Sequence, residues 1–272
     1  MVTPAERRRA VTHLRSRRLS SERRACRLVG LSRSVSRYPL TGRDDGALRA
    51  RLRELAEAYP RYGCPTLHDM LYLEGRVINP KRTYRLYREE GLQVRTKRRK
   101  KLQRPRVPTL LPTSVNERWS VDFVSDQLAN GRRFRVLNII DDFTRESIVQ
   151  LADFSLTGQR LASELDRLAH TRGLPRKLVC DNGPELTCKA VYFWSQRNPV
   201  KIHFIQPGKS TQNAFVESFN GKFREYCLNL NWFASLEDAR EKIDVWRTHY
   251  NEVRPHRSLG RKPPAVFARE VA

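Results

Sequence analysis

The sequence contains no long apolar run. The longest, around Val136–Ile140, is the length of a strand and falls far short of the about 18 residues that a membrane-spanning helix needs. An Arg-rich N-terminus is followed by no apolar stretch, so it does not read as a signal peptide, and a non-exported protein with no membrane role is expected. The five cysteines are odd in number and form no CxxC pair, and the six histidines are scattered without an HxxxH. Together these exclude a disulfide framework and disfavour a structural zinc site. None of the familiar nucleophile motifs is present, which turns attention from covalent catalysis to other chemistries.

Acidic residues are scarce beside basic ones. There are 53 Lys and Arg against 29 Asp and Glu, a net charge of +24. The excess is uneven: residues 1–107 carry 29 basic and 10 acidic side chains, whereas residues 108–272 carry 24 and 19. A surface that is charged only for solubility usually mixes both signs. A front half this basic will condense on a polyanion, and nucleic acid is the usual one.

Helix signals fill the first 92 residues. Over residues 1–40, Ser20 or Ser21 can cap a helix through Glu22–Leu28, Gly30 ends it, and Ser32 or Ser34 can start another. That spacing suits a helix-turn-helix, with Arg23, Arg24, Arg27, Arg33 and Arg37 near a duplex backbone. A second all-α unit is expected over 44–94. Asp44 or Asp45 caps a helix at 47–58, Pro65 sits in the first turn of the next, and Pro80 opens a third that ends near Gly91. The third helix interleaves Tyr84 and Tyr87 with Lys81, Arg82, Arg85 and Arg88, which suits a helix lying in a groove of DNA. Residues 95–112 follow as a basic, Pro-containing linker. Lys97, Arg98, Arg99, Lys100 and Lys101 repel one another, and Pro105, Pro108 and Pro112 prevent regular helix.

The remainder, 113–272, reads as α/β. Strands are expected at 118–124, 134–140, 146–151, 177–180 and 200–205, and helices at 161–168, 186–195, 211–228 and 236–251. That order suggests a mixed sheet flanked by helices. Asp122 stands mid-strand between Val121 and Phe123, where an acid is costly unless it binds something. Asp181 ends a strand just before the sharp turn Asn182-Gly183-Pro184, at the crevice where α/β sheets hold ligands. At about 100° per residue, Asn213, Glu217, Asn220 and Arg224 share one face of a helix. Lys209 precedes them, and Phe215, Phe219 and Phe223 form a second stripe about 200° away. Three carboxylates brought together would repel and raise each other's pKa values. Two Mg²⁺ (or Mn²⁺) ions about 4 Å apart would remove that conflict and could clamp the attacking and leaving oxygens at a phosphorus. Asp141, Asp142 and Glu185 could neighbour such ions, although turn and loop roles suit them better.

Several long stretches are recognisable. They are RWSVDFVSDQLANGRRFRVLNIIDDFTRE (118–146), VCDNGPELT (179–187), PGKSTQNAFVESFNGKFREYCLN (207–229) and YNEVRPHRSLGRKPP (250–264). They closely resemble insertion-sequence transposases of the second-reading-frame (OrfB) type, which share a catalytic core with retroviral integrases. RYGCPTLHDML and KRTYRLYREEGL resemble that family's helix-turn-helix module. The resemblance implies a ribonuclease H-like core with Asp122, Asp181 and Glu217 as its acidic triad, 35 residues separating the last two. It also implies that Arg224, seven positions after the glutamate, contacts DNA at the reacting end. The activity implied is metal-dependent cleavage at element ends followed by 3′-OH strand transfer (DNA integration, recombination and transposition). The implied partners are double-stranded DNA, further copies of the chain on that DNA, and an upstream-frame product. The expected setting is the bacterial cytoplasm and nucleoid. Pro184, Ala214 and Arg261 depart from the commoner Thr, Gly and aromatic residues, and none touches the triad. The competing readings are a DNA-end-binding regulator without chemistry and a plain ribonuclease H-like nuclease. His256, in RPHRSL, fits the family pattern, and the sequence offers no physical account of its role.

Overall fold

The structure, a computed structural model, describes residues 3–38, 44–94, 111–206 and 210–271. The expected contacts Lys97, Arg98, Arg99, Lys100, Lys101 and Lys209 lie outside these residues. The chain divides into two compact units, one up to Ala47 and one from Leu48 onward.

In the first unit, Thr3 and Glu6 form a reciprocal cap for α1 (Pro4–Ser16). Ser21 caps α2 (Glu22–Leu28) and Ser32 caps α3 (Arg33–Arg37), two of the serines expected to do so. Gly30 adopts φ +63° between them, a conformation that a residue without Cβ reaches at little cost. Val11, Ala25 and Cys26 form the small core. Two of the five expected arginines converge on one acid: Arg37 donates to Glu22, and Arg33 lies 3.8 Å from it.

The larger unit opens with the rest of α4 (Gly46–Ala58), followed by α5 (Cys64–Leu73) and α6 (Pro80–Glu89). Leu48, Leu52 and Leu55 of α4 pack on Leu67, Leu71, Leu86 and Tyr87, as the periodicity of the sequence requires. The five strands are β1 (Arg118–Gln127), β2 (Arg133–Asp141), β3 (Ser147–Asp153), β4 (Lys177–Cys180) and β5 (Lys201–Phe204). They form one sheet in the order β3-β2-β1-β4-β5. The first three strands are an antiparallel meander, and β4 and β5 run parallel to β1. This is the ribonuclease H-like mixed sheet.

Alternation along β1 assigns its residues to two layers. Trp119 and Val121 face α7 (Gly158–Thr171) and α8 (Lys189–Arg197), in a core with Leu161, Leu165, Val191 and Trp194. Val124 faces the other way, toward α9 (Ala214–Tyr226) and α10 (Leu236–Glu252), and by the two-residue period so do Ser120 and Asp122. Two expectations for α9 need correction. The helix begins at Ala214, after a 3₁₀ turn over Ser210–Asn213, because Asn213 has non-helical backbone angles. Its buried stripe is Val216, Phe219 and Phe223, whereas Phe215 is half-buried and carries the guanidinium of Arg145 at 3.7 Å. Phe219 and Phe223 meet Trp246 of α10 at 5.6 and 5.1 Å between ring centres. Full burial of each phenylalanine stabilises this docking by about 2–3 kcal/mol. A last helix, α11 (Pro264–Val271), closes the chain, and no described helix is long and apolar enough to cross a membrane.

Candidate active site

Asp122 and Asp181 belong to neighbouring parallel strands. β1 and β4 pair with Ser120 opposite Val179, so the same register carried two residues further sets Asp181, just past the end of β4, beside Asp122 in the middle of β1. Asp181 follows the last residue of β4, and its Oδ1 accepts the Gly183 N–H at 3.0 Å. A Cβ on Gly183 would stand 3.0 Å from that same oxygen and would crowd the carboxylate. Asn182 in turn ties the loop to β5 by donating to the Ile205 carbonyl at 2.9 Å. Glu217 lies exposed in the first turn of α9.

Asp122 is half-buried, and its carboxyl is pushed above the usual carboxylate range. Burial is the largest cause, and the negative charges of Asp181 and Glu217 push the same way. Among the described residues, no three His, Cys, Asp or Glu side chains are placed so that they could hold a metal ion together. The donor set is nonetheless of the right kind for a hard divalent cation: three carboxylates, with no thiolate or imidazole among them.

A row of amides supports Asp122, and sequence reasoning missed most of it. Asp122, Asn138 and Gln150 stand opposite one another on β1, β2 and β3. Gln150 Nε2 donates to Asn138 Oδ1 at 3.1 Å, and Asn138 Nδ2 donates to Asn220 Oδ1 at 2.7 Å. Asn220 Nδ2 donates to Asp122 Oδ2 at 2.7 Å, while the Phe123 N–H donates to Oδ1 at 2.8 Å. The chain of donors points one way, ending on the carboxylate, so each amide has a fixed orientation. Asn138 is fully buried in a strand that is otherwise apolar at its centre, and that was the signal available in the sequence.

The other expected site residues fall into distinct places. Asn213 is 3% exposed and donates to the Val121 carbonyl at 3.2 Å, which docks the start of α9 on β1 and leaves it almost no surface to offer a duplex. Asn220 supports Asp122 as described. Arg224 is exposed one turn beyond Asn220 and donates to the Ser125 carbonyl at 3.2 Å. On α6, Lys81, Arg85 and Arg88 are exposed and Arg82 is half-buried, around a buried face of Thr83, Leu86 and Tyr87. Tyr84 lies outside that face, 54% exposed. Asp141 is fully buried and serves the turn: its Oδ1 accepts Phe143 N and Thr144 N, and its Oδ2 accepts Asn116 N. Asp142 accepts from Ser120 and Arg118, and Glu185 pairs with Arg135. The sequence had favoured such turn and loop roles for these three.

Residues 112–210 and 198–264 each match an integrase core domain, and residues 43–100 match an HTH-like domain. The chain is 47% identical over 271 residues to a 39.2 kDa uncharacterized protein of insertion element IS476 from Xanthomonas euvesicatoria, covering 98% of this chain and 78% of that one. It is 48% identical over 250 residues to a 31.7 kDa uncharacterized protein of insertion element IS407 from Burkholderia multivorans, covering 91% and 90%. Among solved structures it is similar to a chain of the simian T-cell lymphotropic virus intasome in complex with PP2A regulatory subunit B56 gamma. The TM-score there is 0.48 at 16% identity, over 80% of this chain and 74% of that one.

Proposed function

Because this chain belongs to the insertion-sequence transposases with an integrase core domain, we propose that it cleaves DNA at the ends of its element and joins the freed 3′-OH to a second DNA. The observation that supports this reading is that Asp181 and Glu217 lie near enough to Asp122 for their charges to push its carboxyl upward. Asp122, Asp181 and Glu217 would hold two Mg²⁺ or Mn²⁺ ions. When bound, the ions would supply Lewis-acid stabilisation of the attacking and leaving oxygens of the phosphodiester.

The protein's own groups do the rest. The Asn220 amide orients Asp122 and opposes the burial that disfavours its charge. The Gly183 N–H fixes the rotamer of Asp181. Glu217 rides on α9, whose opposite side is locked by Val216, Phe219 and Phe223, so its reach depends on how that helix docks. Arg224, exposed on α9, suits a backbone phosphate of the reacting end. Lys81, Arg85 and Arg88 on the outer face of α6 suit a second stretch of duplex, with several copies of the chain assembling on the two ends.

The test uses the full chain, duplexes bearing the element's terminal inverted repeats, and a supercoiled target. We expect Mg²⁺- or Mn²⁺-dependent nicking and strand transfer, lost by at least about 1000-fold in Asp181→Asn with end-binding unchanged. Cleavage that survives Asp181→Asn would overturn the assigned site. Salt-sensitive end-binding without cleavage under either metal would make the chain a regulator of transposition instead.

A further inference from the structure

A group of basic side chains gathers on a different flank of α9 from the acids. Lys222 follows Glu217 by five residues, about 140° around the helix. It donates to Ser218 Oγ at 3.2 Å. Arg254, just after α10, is 7% exposed, and its guanidinium lies 5.4 and 5.3 Å from the rings of Tyr62 and Tyr226. Its Nε has no hydrogen-bond partner among the described residues. His256 is equally buried, edge-on to Tyr250 at 4.9 Å, and its Nε2 also lacks a partner. Arg145, in the turn between β2 and β3, lies over Phe215 with one terminal nitrogen unpartnered among the described residues.

These groups sense one another. Lys222 is pushed down to about 8 by burial and then by the charges of Arg254 and Arg145. His256 is pushed down to about 2 by burial and then by Arg254, Lys222 and Arg145. The acids that face the cluster are those of the β2–β3 turn, and Asp142 does attract Arg145. Asp141 attracts it more weakly. Yet Asp142 is shared with Arg118 and Ser120 through Oδ2, leaving Oδ1 without a hydrogen bond among the described residues, and Asp141 with the turn's own N–H groups and Arg172. The Tyr62 hydroxyl lies within hydrogen-bond distance of His249 Nε2 and also accepts from Arg254, whose Nε stays unpartnered among the described residues, and the Tyr250 hydroxyl donates to the Arg145 carbonyl. Two guanidiniums and an ammonium at low dielectric, in excess over the carboxylates beside them, are unfavourable unless an anion neutralises them. A phosphate suits this donor set, because its several oxygens can accept from guanidinium and ammonium donors at once.

We propose that Arg145, Lys222, Arg254 and His256 form a phosphate site, separate from the carboxylates, that takes a backbone phosphate of bound nucleic acid. The site's chemistry follows from the cluster alone, while the source of the phosphate rests on the reading of this chain as a DNA-acting protein.

Thermal unfolding of the full chain in sodium phosphate and in sodium chloride, at equal ionic strength, tests the site. Phosphate should raise the Tm by about 2–4 °C over chloride in the wild type, in Asp181→Asn and in Lys201→Met, which removes an exposed cation on β5. Lys222→Met should lose at least half of that shift. In chloride it should melt at or above the wild type, because one uncompensated cation is gone, which a lysine with a merely structural role would not do. Lys222→Arg should keep the shift. Equal Tm in the two salts for the wild type, or a full shift in Lys222→Met, overturns the site. For the source, Lys222→Met should lower the salt slope of duplex binding by about one. An unchanged slope beside a lost phosphate shift overturns the nucleic-acid assignment and leaves free phosphate as the occupant. Failure of the catalytic reading alone would leave every phosphate shift intact.

Discussion

Asn220 donates its side-chain amide to Oδ2 of Asp122 at 2.7 Å, and it is oriented to do so because Asn138 donates to its other end. The helix that carries Glu217 is thus tied to the strand that carries Asp122 by one directed hydrogen bond. Asn220→Leu removes the donor and leaves burial and two like charges acting on Asp122 with only the Phe123 N–H opposing them. We expect cleavage to fall about 10–100-fold while duplex binding holds, with a stability loss of about 1–2 kcal/mol. Gln150→Leu, at the far end of the row, should give a smaller loss in the same direction. Single-turnover cleavage and urea unfolding of both variants decide this. Wild-type cleavage by Asn220→Leu would mean that Asp122 needs no such support.

Gly158 opens α7 against the loop that follows Asp181. A Cβ there would lie 2.0 Å from Cys188 Sγ and 2.6 Å from the Glu185 carbonyl, so Gly158→Ala must push that loop aside. The expected cost is about 1–3 kcal/mol in stability, with a fall in cleavage because the loop positions Asp181. Gly221 is the contrast: it is helical, exposed, and a Cβ would meet nothing within 4 Å. Gly221→Ala should stabilise the chain by about 0.5–1 kcal/mol. Urea unfolding of the two variants should therefore move in opposite directions.

Asp69 fastens the helical module to the end of the chain. Its side chain is 3% exposed and accepts from Arg257 Nε at 2.7 Å, with Arg261 Nε at 3.1 Å. Arg261 also lies 4.3 Å from the Tyr72 ring, so the residue that departs from the family's usual aromatic has its own partner here. Asp69→Asn keeps the shape and removes the charge shared by both arginines. A loss of about 2–3 kcal/mol in urea unfolding is expected, shrinking in high salt. A change below about 0.5 kcal/mol would mean that apolar contacts such as that of Tyr62 with Tyr226, at 5.2 Å between rings, hold the module alone.

What the sequence revealed and what it hid divide along physical lines. Period-2 and period-3.6 patterns carry local information, so the five strands, the long helices and the serine caps were legible. The positions of two acids were legible as well, Asp122 within a strand and Asp181 at the end of one. Partners fixed by register were not. Asn138 and Gln150 gain meaning only when three strands align, and Asn213 only when α9 lies on β1. His256 looked unexplained because its neighbours Lys222 and Arg145 are distant in sequence. The helical unit was read as a domain ahead of a linker; residues 43–100 match an HTH-like domain, and by contacts the residues from Leu48 on group with the sheet. Contacts such as Arg257 to Asp69, 188 residues apart, leave no local trace.

The contact between Tyr62 and His249 should make stability depend on pH. Tyr62 and His249 lie within hydrogen-bond distance, OH to Nε2 at 3.0 Å, and Tyr59 stacks on the imidazole at 4.6 Å. Burial and then the charge of Arg254 push the histidine down to about 4. The unfolded chain binds a proton there near 6.5, so between about 4 and 6.5 the unfolded state holds more protons than the folded one. The contribution is therefore fully present above 6.5 and is lost as pH falls through that window. Between pH 7 and pH 5 the loss should be about 2 kcal/mol, at about 1.4 kcal/mol per unit. His249→Gln keeps a hydrogen-bonding group for Tyr62 but cannot titrate. Urea unfolding at the two pH values should show the wild type losing about 1–2 kcal/mol more than the variant. Equal losses would place the acid sensitivity elsewhere, with His256 the first residue to examine, since it too must stay neutral in the fold.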